Sequence, residues 1–248
     1  MGQETMGRRL LSCLPLSLML SVLLLANSSV RAITEIDLGT TLVALKFKHG
    51  VVVAADTRTS VSGYVSNKFA KKINVVVNEP ETSCAICRSG SAADTQWLAQ
   101  HASHEFSIRR SLPSVSQVAH FLREKVRSES SLQASLICAG YDGTGRIFGI
   151  SPGGSMWEED VFCVSGSGST FLLGHLDSLN LDPSRISQDK AIEMVKEWIQ
   201  LSVARDGSSG GLVRIKVLAK GGVEEITVYP VAAPKEDLRG FARAITNQ

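Results

Sequence analysis

The chain has 248 residues, 44% of them hydrophobic and 20% charged, with a formal net charge of +2. That is apolar material for one globular domain of roughly 200 residues with a full core. Lys and Arg are dispersed among acids, and three Trp, three Tyr and eight Phe make few stacking platforms, so composition argues against a nucleic-acid partner.

In chain order, Arg8 and Arg9 precede the apolar run LLSCLPLSLMLSVLLLA and then NSSVRA, ending at Ala32. The pattern is that of a secretory signal with an overlong apolar stretch. It also approaches the length of a membrane span, which Pro15 and the serines weaken. On either reading it is a leader set apart from the core.

After residue 38 the period changes. TTLVALKFK (40–48) and VVVAADT (51–57) are β-rich runs joined at His49–Gly50, and KINVVVN (72–78) and SCAICRS (83–89) follow. Four such strands in series predict one antiparallel sheet. Ala93, Trp97 and His101 then recur at helical spacing, and Val115, Val118, Leu122 and Val126 stripe a second helix after Pro113–Ser114. Strands return at ASLICAGY, RIFGI and DVFCVSG, with Asp142–Gly143 as a turn. Two helices, near 168–179 and 187–205, precede a closing hairpin around Lys220–Gly221–Gly222; the tail from Val231 is expected to run over the surface. Strand runs alternating with helix pairs imply an α+β fold of two packed sheets with helices on the outer faces.

Several chemistries are excluded by context. No G-K-[ST] occurs, and no G-x-G-x-x-G stands in a βαβ setting. GSSGG satisfies G-x-S-x-G at Ser209, but a helix precedes it, a strand follows it, and no His lies downstream. Cys84 and Cys87 form a single C-x-x-C within a strand, where positions i and i+3 face opposite sides, so neither metal nor cofactor is expected. Threonine remains. A Thr hydroxyl is a poor nucleophile until a base takes its proton, and an N-terminal α-amine can be that base. Cleavage between Gly39 and Thr40 would give Thr40 both groups. Alone, the G-T-T run does not separate this from a plain strand start.

Taken together, GTTLVALKFKHGVVVAADTRT (39–59), SGSAAD (89–94), GSGS (166–169) and RDGSSGG (205–211) resemble proteasome β subunits over about residues 39–229. The resemblance implies an N-terminal nucleophile hydrolase with an αββα sandwich, a leader at 1–39 removed on maturation, and a mature domain at 40–248. It makes Thr40 the nucleophile freed by self-cleavage after Gly39. Asp56 and Lys72 match the family's acid and catalytic lysine, sixteen and thirty-two positions after Thr40. Gly90 falls on the oxyanion donor, and Ser167, Asp206 and Ser209 on supporting positions. Adjacent strand residues face opposite sides, so Lys71 is expected to point away from Thr40, and Thr41 reads as the second residue of the strand.

Arg88 resembles the arginine at the base of the substrate pocket in the caspase-like β subunit, where a guanidinium would pair with a substrate carboxylate. Thr59 and Ala92 fall on substrate-binding positions. Two departures stand out: Ala70 replaces a Thr near the pocket wall, and the segment between Lys72 and Arg88 is longer than usual, which predicts an expanded turn. The resemblance further implies partners: other β subunits in a seven-membered ring, an α-subunit ring and an unfolded polypeptide substrate. It also implies a cytoplasmic and nuclear location, with no stable membrane association. The rival readings are a structural, non-catalytic β subunit and, on the signal-like leader alone, a secreted N-terminal nucleophile amidase.

Overall fold

Strand β1 (Leu42–Phe47) turns through Lys48 and His49 into β2 (Gly50–Asp56), and a computed structural model shows both buried along nearly their whole length. It describes residues 39–61 and 63–229; the leader through residue 38, with Cys13, and the tail from residue 230 lie outside the described residues. After a small exposed hairpin, β3 (Thr59–Val61) and β4 (Tyr64–Asn67), come β5 (Ile73–Asn78) and β6 (Ser83–Gly90). Helices α1 (Ala92–Ser107) and α2 (Val115–Ser128) lead to β7 (Ala134–Tyr141), β8 (Gly145–Ile150), β9 (Met156–Glu159) and β10 (Phe162–Ser165). A 3₁₀ turn at Ser167–Phe171, a short α3 (Leu173–Asp177), α4 (Gln188–Val203), β11 (Val213–Ala219) and β12 (Gly222–Val228) complete the domain.

Two five-stranded antiparallel sheets result, in the orders β10-β1-β2-β11-β12 and β5-β6-β7-β8-β9. The expected single four-stranded sheet is therefore corrected: β1–β2 and β5–β6 belong to different sheets. The reason is visible in their two-sided burial. Val43, Leu45, Val52 and Ala54 pack against α4, while Leu42, Ala44, Val53 and Ala55 meet Ala85, Cys87, Ile137 and Ala139 of the other sheet. Strands apolar on both faces need a layer on each side. The alanines keep the contact layer thin. Cys84, Ile86, Leu136 and Cys138 face the opposite way, under α1 and α2, so Cys84 and Cys87 do lie on opposite faces of β6. The layers run helix, sheet, sheet, helix, the αββα sandwich.

Two further corrections concern local elements. The buried stripe of α1 is Thr95, Leu98, Ala99, Ala102 and Phe106 rather than Ala93, Trp97 and His101. Trp97 and His101 lie on the outer flank, stacked at 5.2 Å, with His101 against Phe121 of α2 at 5.6 Å, a pairing that mimics a core stripe in sequence. The β5–β6 turn is tight rather than expanded: Glu79 and Thr82 exchange backbone hydrogen bonds, and a bulge between Val75 and Val77 takes up one residue of a segment expected to be about four residues longer than usual. The α2 stripe is buried as expected.

Candidate active site

Thr40 precedes β1, Asp56 ends β2, Lys72 precedes β5 and Gly90 ends β6, so both sheets deliver residues to one end of the sandwich. The Asp56 carboxylate is fully buried and fully bonded. Its Oδ1 accepts from Lys72 Nζ at 2.7 Å and from the Thr41 amide at 3.0 Å; Oδ2 accepts from the amides of Arg58 at 3.1 Å and Gly210 at 2.9 Å. Four charge-assisted bonds offset the desolvation of the buried anion and fix its direction.

Lys72 Nζ, held by that carboxylate, also donates to Thr40 Oγ1 at 3.0 Å and to the Gly39 carbonyl at 3.1 Å. Thr40 Oγ1 donates to the same carbonyl at 2.7 Å. The hydroxyl, the ammonium and the peptide bond before Thr40 thus meet at one point. Burial pulls the Lys72 ammonium below its ordinary value, opposed by the attraction of Asp56. Lys71 is exposed and takes no part in these bonds, but both lysines precede β5, so strand alternation does not govern them, and Lys71 lines the same cavity as Thr40 and Lys72.

The Thr40 main chain is gripped from the other side. Its N–H donates to Ser167 Oγ at 3.2 Å, and Gly168 N–H donates to its carbonyl at 3.2 Å. Gly166 has φ +89°, and a Cβ there would lie 2.1 Å from the Thr40 carbonyl oxygen, so the loop needs glycine to approach this closely. Ser167 Oγ donates to Asp206 Oδ2 at 2.7 Å, and Ser209 Oγ donates to the same oxygen at 2.6 Å.

Thr40, Asp56, Lys72, Ser167 and Asp206 are therefore joined by direct bonds. Ser209 is one step removed, bonded to Asp206 and Thr41 rather than to Thr40. Gly90 makes no bond to Thr40 but lines the same cavity, and its φ of +99°, with Gln133 O 2.4 Å from where a Cβ would sit, demands glycine. Gly39, Thr59, Ala70, Arg88 and Ala92 line that cavity too, whose volume is about 320 Å³.

Arg88 is 9% exposed and has no carboxylate partner among the described residues. Its Nε donates to Asn74 Oδ1 at 2.6 Å, Nη1 to Thr95 Oγ1 at 3.2 Å and Nη2 to the Lys71 carbonyl. Burial pulls the guanidinium below its ordinary value, yet an arginine stays charged. Three neutral acceptors orient it and leave its charge unbalanced beside the cavity.

Sequence reasoning missed Asn74, the second residue of β5, which lines the same cavity as Lys72. It missed Arg58, whose amide holds Asp56 and whose Nη1 donates to the Gly207 carbonyl at 2.9 Å. Thr41 and Ser202, both fully buried, were also missed. Among the described residues no group of three or more His, Cys, Asp or Glu could hold a metal, and no helix is long and apolar enough to cross a membrane.

The Proteasome subunit family matches residues 36–218. The chain belongs to that family. The probable proteasome subunit beta type-1 of Encephalitozoon cuniculi is 36% identical over 196 residues, covering 77% of this chain and 93% of that relative. Proteasome subunit beta type-1 of Saccharomyces cerevisiae is 35% identical over 202 residues (79% and 91%), and proteasome subunit beta type-6 of Dictyostelium discoideum is 36% identical over 196 residues (76% and 88%). β subunits of the proteasome family assemble into the 20S core with α rings, and the αββα sandwich described above is the family's N-terminal nucleophile fold.

Proposed function

We propose that this chain is a catalytic, caspase-like proteasome β subunit: a threonine endopeptidase, made as a precursor, that cleaves unfolded polypeptides after acidic residues in cytoplasm and nucleus. The observation that carries the reading is Lys72 Nζ standing between Asp56, the Thr40 hydroxyl and the Gly39 carbonyl.

Self-cleavage comes first. Thr40 Oγ1 attacks the Gly39 carbonyl carbon and gives its proton to a water, because the Thr40 nitrogen is still acylated. The Lys72 ammonium, 3.1 Å from the Gly39 oxygen, stabilises the charge that develops there. The C–N bond breaks, the Thr40 nitrogen takes a proton, and water hydrolyses the resulting ester to release Gly39 as a carboxylate. The free α-amine, ordinarily with a pKa near 8, then accepts the hydroxyl proton in substrate cleavage. Lys72 nearby lowers the amine's pKa toward neutrality, Ser167 and Asp206 hold it in place, and the Gly90 N–H serves as oxyanion donor. Arg88, oriented by neutral acceptors, receives the substrate's acidic side chain.

Assembled particles carrying Thr40→Ala test this. Processing at Gly39 and cleavage after Glu are both expected to vanish while assembly persists, a loss of at least ~1000-fold for a removed nucleophile. Post-glutamate cleavage surviving in that particle refutes the reading in favour of a non-catalytic subunit.

A further inference from the structure

We propose that the Thr41 hydroxyl is a positioning group for the reacting end of Thr40, and that Ser202 holds it in place. The inference rests on Thr40 being the nucleophile. Thr41 Oγ1 donates to Ser209 Oγ at 2.8 Å and lies 2.7 Å from Ser202 Oγ. All three residues are 0% exposed, so no water substitutes for any of these partners.

The connections form a closed circuit. It leaves the chain at the Thr41 hydroxyl and passes to Ser209, from Ser209 to Asp206 Oδ2, from that oxygen to Ser167, and returns at the Thr40 nitrogen. A serine hydroxyl has one proton to give. Ser209 gives its proton to Asp206, so its oxygen needs a donor, and Thr41 supplies one. Without it, Ser209 is free to rotate from Asp206, and the oxygen that also orients Ser167 loses half of its restraint. The nitrogen that becomes the base in Thr40 is the last link in that chain.

Ser202 anchors the circuit to the helix layer. It stands at the end of α4; with the Thr41 proton given to Ser209, the single Ser202 proton is shared between Thr41 Oγ1 at 2.7 Å and the Gly168 carbonyl at 2.9 Å, while Gly168 N–H holds the Thr40 carbonyl. A Cβ on Gly168 would lie 1.9 Å from Thr41 Oγ1 and 2.1 Å from Ser202 Oγ, so the glycine leaves room for the two hydroxyls to meet. Four separate segments are thereby pinned at one buried hydroxyl: the start of β1, the loop at 166–168, the end of α4 and the loop at 206–210.

The test compares assembled particles carrying Thr41→Val, Thr41→Ser or Ser202→Ala with wild type, using a peptide cleaved after Glu. Thr41→Val, nearly equal in shape, is expected to lower kcat about 10- to 100-fold, the cost of misplacing a reacting group by about 1 Å. KM should stay within about twofold, because the substrate pocket is untouched. Thr41→Ser restores most of kcat, and Ser202→Ala lowers it by about 3- to 10-fold, since Ser209 keeps its donor. The inference is overturned by a Thr41→Val particle with wild-type kcat, or by Thr41→Ser falling as far as Thr41→Val. If Thr41→Val does not assemble, an unchanged kcat in Ser202→Ala overturns it instead. A wild-type particle that frees Thr40 but does not cleave after Glu refutes only the proposed specificity, and the same comparison is then read as the rate of covalent capture of Thr40 by a peptide vinyl sulfone.

Discussion

Lys72 and Arg88 line one cavity, at 7% and 9% exposure, yet their charges are met in different ways. Lys72 is paired with a carboxylate that is itself fully bonded. Arg88 touches only an amide oxygen, a hydroxyl and a backbone carbonyl. Every side-chain nitrogen of both has a partner, but among the described residues only Lys72 has its charge balanced by a carboxylate. A buried cation without a counter-ion is costly to keep, and the cost is offset when an anion arrives from outside. The pair thus separates a group kept in place for chemistry from a group left open for recognition.

Removing the balanced cation should have the largest effect. Lys72→Ala strands the buried Asp56 carboxylate, so the fold is expected to lose about 3–5 kcal/mol in chemical denaturation. Processing and peptide cleavage should fall by at least about 100-fold, measured as released leader and product. Arg88→Leu should spare the nucleophile and lower post-glutamate cleavage about 10- to 100-fold, with cleavage after apolar residues gaining in its place. A gentler change sharpens the comparison: Asn74→Asp puts a carboxylate against Arg88 Nε and gives it the balance that Lys72 already has. Preference for acidic over apolar peptides is expected to drop about tenfold, with assembly intact. Unchanged preference in that variant would mean that the charge of Arg88 is not what selects the substrate.

The smallest effect is on pH. Burial holds Lys72 below its ordinary 10.5, so between the lowered value and 10.5 the folded chain binds fewer protons at this site than the unfolded chain. Stability from this group therefore rises with pH across that window. Burial acts oppositely on Cys163, pushed up to about 12, so the contribution is read as the difference between wild type and Lys72→Met. The wild-type curve should gain on the variant as pH climbs toward 10.5.

The positions that the family resemblance supplied were those whose chemistry depends on one residue type. Thr40, Asp56, Lys72, Ser167 and Asp206 were named from the sequence, and they meet in space. What stayed hidden was the support, because Thr41, Asn74 and Ser202 are ordinary residues whose role comes from burial and partners contributed by distant segments. Ser202 continues the α4 stripe of Val195 and Ile199, where a serine carries no signal of its own. The fold class was legible from the order of elements. The division of β1–β2 and β5–β6 between two sheets was not, since an apolar strand run shows that both faces are covered without showing by what.

The central claim is that Thr40 acquires a free amine by cleavage after Gly39. Intact-mass measurement of this subunit from an assembled particle tests it directly. The expected mass is that of a chain beginning at Thr40; a chain that keeps Gly39, or begins at Ile33, would leave the Thr40 nitrogen acylated and contradict the account.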